Sequence, residues 1–118
     1  MAITIYGIKN CDTMKKARSW LEDHGVAYDF HDYKALGIDR DHLQKWISEA
    51  GWETVLNRAG TTFRKLPDAD RADLTEEKAI ALMLAQPSMI KRPVLEANGE
   101  LLIGFKPESY AALFKIAA

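Results

Sequence analysis

The residue best equipped for covalent chemistry is Cys11, the only cysteine among 118 residues. It lies where a strand pattern gives way to a helix pattern, in Tyr6-Gly7-Ile8-Lys9-Asn10-Cys11-Asp12-Thr13-Met14-Lys15-Lys16. A thiol attacks as its thiolate, and a position just outside a helix start offers unpaired backbone N–H groups and the positive end of the dipole, both of which favour that anion. A cysteine with a pKa of about 8.5 is ~3% ionised at neutral pH, whereas one lowered to about 6 is ~90% ionised. Lower basicity removes part of the gain in attack, with a Brønsted slope of about 0.4 to 0.5. It also makes the sulfur a better leaving group, which suits a lone cysteine that an outside thiol must displace from a mixed disulfide. Lys9, Lys15, Lys16 and Arg18 add positive charge nearby, while Asp12 opposes ionisation unless its side chain turns to cap the helix. The plain alternative is a small buried apolar residue with no chemistry.

The elements that must position this sulfur can be read from periodicity. Ile3 and Ile5 alternate with Thr4 and Tyr6, as in a strand, and Gly7 interrupts the pattern. Asp12 or Thr13 can cap a helix with Met14, Ala17, Trp20 and Leu21 on one face, ended by Gly25. Tyr28 to Tyr33 alternates aromatic with polar residues as a second strand, so the opening is a parallel pair joined by a right-handed crossover. From Ala35 to Pro87 only helices are expected. Asp39 or Asp41 caps one carrying Leu43, Trp46, Ile47 and Ala50 up to Gly51, and a short piece, Trp52 to Leu56, follows. Asn57 to Pro67, with Arg58, Arg64 and Lys65, reads as a loop or broken helix, and Thr75 starts a helix with Ile80, Met83 and Leu84 on its stripe. Val94–Ala97 and Leu101–Phe105 flank Asn98-Gly99 as a hairpin, and Pro107 opens a closing helix with Tyr110, Leu113, Phe114 and Ile116 inward.

Composition narrows the function. A chain this long with 47% hydrophobic residues suits one domain. Sixteen basic against 17 acidic residues leave a net charge of -1, which gives no reason to expect direct binding of nucleic acid or of an anionic membrane. The N-terminus carries no export signal, and the longest apolar run, Ala79 to Ala85, is far below the ~20 residues that span a bilayer. A single cysteine excludes an internal disulfide and fits a reducing cytoplasm. His24, His31 and His42 lack partners at metal-ligand spacing and read as solvated residues, so no metal is expected.

The order strand, cysteine, helix, strand, helical insert, then Arg92-Pro93 before a hairpin and a final helix resembles the arsenate reductase ArsC and Spx family, most closely its small YffB-type members. The specific pieces are Asn10-Cys11-Asp12-Thr13-Met14-Lys15-Lys16-Ala17, Ile90-Lys91-Arg92-Pro93-Val94 and Gly104-Phe105. The resemblance implies an α/β, thioredoxin-like (glutaredoxin-like) fold: a mixed four-stranded sheet in a single domain over 1–118, with a helical insert at about 35–87. It implies that Pro93 is cis and sits across from Cys11, presenting backbone groups to a peptide-like thiol such as glutathione. Of the three arginines that hold the oxyanion in the family's arsenate reductases, Arg92 matches one, and Arg58 matches a second only across a one-residue gap. Lys106 stands at the third, keeping the charge but losing the forked grip. Ile8-Lys9-Asn10 and Asp12-Thr13-Met14 replace the reductases' His-Asn-Pro and Gly-Thr-Ser, and Met14 occupies the second position of the Spx Cys-x-x-Cys switch.

The resulting expectation is a cytoplasmic, monomeric, monothiol oxidoreductase with glutathione as co-substrate and no metal. Cys11 and Arg92 carry the chemistry, and Lys9, Asn10, Asp12, Thr13, Arg58, Pro93 and Lys106 contact glutathione or the substrate. The alternatives are a glutaredoxin-coupled arsenate reductase and a Spx-like adaptor that binds RNA polymerase.

Overall fold

The computed structural model describes residues 3–115. Ile116, expected on the inner side of the closing helix, lies outside them. In chain order the elements are β1 (Ile3–Gly7), α1 (Asp12–Asp23), β2 (Asp29–Asp32), α2 (Tyr33–Leu36), α3 (Arg40–Ala50), α4 (Trp52–Val55), α5 (Thr61–Arg64), α6 (Asp68–Arg71) and α7 (Glu76–Ala85). A 3-10 turn at Pro87–Met89, β3 (Val94–Ala97), β4 (Glu100–Ile103) and α8 (Pro107–Phe114) complete it. The chain divides into two compact units, one formed by the residues up to Asp32 together with those from Arg92 onward, the other by Tyr33–Lys91.

The first unit is a mixed, thioredoxin-like sheet in the order β2-β1-β3-β4. β1 runs parallel to β2 and antiparallel to β3, with Tyr6 level with His31 on one side and Val94 on the other. The β3–β4 turn places Asn98 and Gly99 at φ 54° and 82°, the left-handed pair that a two-residue hairpin requires. One face of the sheet packs on α1 and α8 through Ile5, Met14, Ala17, Leu21, Leu95, Ala97 and Tyr110, all buried. β1 is a central strand buried on both sides at Ile5 and Tyr6, and Gly7 ends it rather than interrupting it. A Cβ at Gly7 would lie 2.2 Å from the sulfur of Met14, so the strand end and the first turn of α1 touch with no room for a side chain.

The second unit is helical and starts earlier than the periodicity predicts. Tyr33, expected as the last residue of a strand, opens α2 instead, fully buried with its hydroxyl donating to the Ile90 carbonyl at 2.9 Å. Asp39 caps α3 by accepting from His42 N at 2.8 Å, and Thr75 caps α7 by accepting from Lys78 N at 3.2 Å. These helices bury Leu43, Trp46, Ile47, Ala79, Ile80 and Met83. The Asn57–Pro67 stretch holds one helical turn, α5, anchored by buried Phe63. Asn57 N and Lys91 N donate to the carbonyls of Met89 and Val55, each at 2.8 Å, closing the unit on itself.

The histidines are less free than expected. His31 is half-buried with its ring centroid 5.1 Å from that of Tyr6, His24 stacks on Trp20 at 4.0 Å, and His42 Nδ1 lies 2.7 Å from Asp39. Among the described residues no three His, Cys, Asp or Glu side chains are grouped to hold a metal, and no helix is long and apolar enough to cross a membrane.

Two stability outcomes follow from the first unit. Tyr110 is fully buried, edge-on to Trp20 at 5.5 Å and Phe105 at 4.8 Å, and its hydroxyl has no hydrogen-bond partner among the described residues. An unsatisfied buried hydroxyl costs roughly 1–3 kcal/mol, so Tyr110→Phe should leave the protein as stable or about 1 kcal/mol more stable in urea denaturation. A clear loss would show that the hydroxyl is bonded. Gly7→Ala should destabilise by roughly 1–3 kcal/mol as Met14 is displaced, and an unchanged urea midpoint would contradict the close approach.

Candidate active site

Cys11 itself occupies the N-cap of α1, with φ -126° and ψ 131°, and its carbonyl accepts from Lys15 N at 2.9 Å. The cap therefore falls one residue before Asp12, which is exposed within the first helical turn. At this position the sulfur stands where a capping oxygen would, beside the backbone N–H groups of Met14 and Thr13. The sulfur makes no formal side-chain cap hydrogen bond, but both amides favour its charged form. Arg92 Nε also donates to Cys11 Sγ, at 3.4 Å.

Opposing influences act on the thiol. Partial burial is the largest and pushes its pKa up. The Met14 amide, the Arg92 hydrogen bond, the Thr13 amide and the Arg92 charge all pull it down, and together they prevail, leaving Cys11 below its ordinary value. The residue as a whole is half-buried.

The remaining predicted residues are distributed unevenly. The Arg92–Pro93 bond is cis, and Pro93 is buried with its carbonyl accepting from Gly104 N at 2.8 Å. Pro93 has no N–H, and that bond leaves only one lone pair to offer, so the expectation that it presents backbone groups to a ligand is narrowed. Lys9 and Asn10 are exposed in the turn before α1, and Thr13 is exposed in its first turn. Lys106 is the exposed N-cap of α8. Arg58 belongs to the helical unit, where its guanidinium lies 5.9 Å from the Trp52 ring centroid. Arg18 does not serve the thiol: its Nε donates to the Tyr28 hydroxyl at 3.0 Å and its guanidinium covers Phe30 at 4.4 Å. The part that periodicity does not reveal is played by Met14, whose amide faces the sulfur while its fully buried side chain rests on Gly7. Its place three residues after a cap was the available signal.

The ArsC family profile matches residues 6–113, a span that includes Cys11 and Arg92. The chain belongs to the ArsC family. A solved structure of the YffB (PA3664) protein is 72% identical, with a TM-score of 0.92 over 94% of this chain and 97% of that one. An arsenate reductase (ArsC) related protein from Brucella melitensis is 61% identical, with a TM-score of 0.77 over 98% and 97% of the two chains. The global transcriptional regulator Spx of Streptococcus mutans is 31% identical over 93% of this chain and 81% of its own length. The relatives of this chain thus include both a reductase-related protein and a transcriptional regulator, and its fold is a redox-thiol one.

Replacing Arg92 isolates its effect on the sulfur. Arg92→Ala should raise the pH midpoint of Cys11 alkylation by iodoacetamide and slow the reaction at neutral pH. Arg92→Lys, which keeps a charge but loses the Nε donor, should fall between. An identical midpoint in all three proteins would mean that Arg92 does not act on the thiol.

Proposed function

We propose that the protein is a cytoplasmic, glutathione-dependent monothiol oxidoreductase. The observation that supports this reading is the single half-buried sulfur at a helix start, with Arg92 donating to it at 3.4 Å and its pKa lowered. The Cys11 thiolate attacks the glutathione sulfur of a mixed disulfide. The Cys11–glutathione S–S bond forms as the substrate–glutathione bond breaks, and the substrate thiolate leaves to take a proton from solvent. A second glutathione, as thiolate, then attacks the bound glutathione sulfur, giving oxidised glutathione and returning Cys11 as thiolate. Two electrons pass from glutathione to the substrate overall. Arg92 and the amides of Thr13 and Met14 stabilise Cys11 as nucleophile and as leaving group alike. Lys9, Asn10, Asp12, Thr13, Pro93 and Lys106 of the sheet unit remain the residues proposed to contact glutathione or the substrate. One cysteine cannot resolve the mixed disulfide internally, so an external thiol is required.

Reduction of arsenate is the weaker enzymatic reading, because Lys106 lacks the guanidinium fork expected there. A regulatory role of the Spx kind is the second reading, favoured by the 31% identity to that regulator. In glutathione-coupled reduction of a glutathionylated thiol, Cys11→Ser should lower turnover by roughly a thousandfold or more, as loss of a covalent nucleophile does. No arsenate turnover is expected with glutaredoxin present. Wild-type turnover no faster than that of Cys11→Ser would reject the reading, and retention of RNA polymerase by both proteins in a pull-down would favour the regulatory one.

A further inference from the structure

A second feature of the sheet unit lies along α1, beginning one turn beyond Cys11. It is a groove of about 430 Å³, lined by Lys15, Lys16, Trp20 and Asp23 of α1 and by Phe105 and Pro107 from the β4–α8 connection. Its lining is mostly apolar, and it is open to solvent. The floor is pre-arranged: Trp20 and Phe105 both pack edge-on against buried Tyr110, and Trp20 is further held between His24 at 4.0 Å and Phe114 at 6.1 Å. From Lys15 to Asp23 the helix rises ~12 Å, the span of three or four extended residues.

The charges along the groove are segregated. Lys15 and Lys16 stand at the end toward Cys11, and Lys106 stands between the lining residues Phe105 and Pro107. Asp23 is the carboxylate of the lining and lies at the far end. Among the described residues none of these four side chains is held in an ion pair. A fully exposed set of lysines would be ordinary, but here they rim an aromatic floor on the same helix whose N-cap is the reactive cysteine.

We propose that this groove seats an extended segment of a protein substrate, with acidic residues toward Lys15, Lys16 and Lys106 and an aromatic side chain on Trp20 and Phe105. The proposal rests on the redox reading, and it names the substrate class: a glutathionylated protein whose modified cysteine reaches Cys11 while its flanking residues lie along α1. The glutathione half meets Cys11 and Arg92, and the protein half leaves as the thiolate. An open groove with separated charge suits a peptide strand better than an engulfed small molecule.

The test is NMR titration of the whole protein with synthetic peptides in which serine replaces the reactive cysteine, so that no thiol chemistry takes part. A peptide with two acidic residues and a phenylalanine beside the serine should move the Trp20 indole N–H and the Phe105 amide saturably. Lys15→Glu/Lys16→Glu should weaken that binding roughly tenfold or more, and a peptide with lysines in place of the acidic residues should recover it on the variant. Equal binding of acidic and basic peptides, or no groove shifts, would overturn the proposal. Glutathione alone should leave the Trp20 indole unmoved; a shift there would assign the groove to the tripeptide and overturn it equally. Small-disulfide turnover by the wild type without groove binding removes the groove and spares the redox reading. Groove binding by a protein inert toward disulfides removes that reading and, with it, the occupant's role as substrate.

Discussion

The site depends on one electrostatic balance at the start of α1. Taking the Cys11 sulfur partly out of water disfavours its charge, and the amides of Met14 and Thr13 together with the Arg92 guanidinium restore it. Neither contribution is unusual alone. Their combination depends on bringing a helix start and a distant arginine to one atom.

The sheet achieves that placement. Tyr6 lies level with Val94 in the antiparallel β1–β3 pair, and continuing the register brings Arg92 level with Ile8, just before Cys11. Met14 fixes the other side: its side chain fills the space that Gly7 leaves free, so the first turn of α1 is seated directly on the strand end. The residue at this position therefore holds the helix start in place and supplies one of its amides to the sulfur. With Met14 fully buried and no second cysteine in the chain, the sulfur has no internal partner, and an external thiol is the natural second reactant.

Much of this was legible because the signals are local. Asp39 and Thr75 cap where their residue types and following residues suggest, Asn98-Gly99 turns a hairpin, and Pro107 opens the last helix. The misses have tertiary causes. Asp12 and Thr13 are better capping types than cysteine, yet the tight seat of Met14 on Gly7 places the helix start one residue earlier, on Cys11. Tyr33 continues an alternating strand pattern, but the buried partner of its hydroxyl is the Ile90 carbonyl, distant in sequence, and it starts a helix. Arg18 adds to the basic composition around the thiol, but its side chain is held by Tyr28 and Phe30 from the next strand region. Nothing in the local composition around Pro93 distinguishes cis from trans; only the family resemblance indicated it.

The most direct measurement is the pH titration of the Cys11 13Cβ chemical shift in the native protein and in the urea-unfolded chain. The native midpoint should lie below the unfolded one, so that the thiolate form adds stability above the unfolded midpoint and that contribution fades as pH falls through the native midpoint. A native midpoint equal to or above the unfolded value would mean that burial outweighs the amides and Arg92, and that the sulfur is not held ready as an anion.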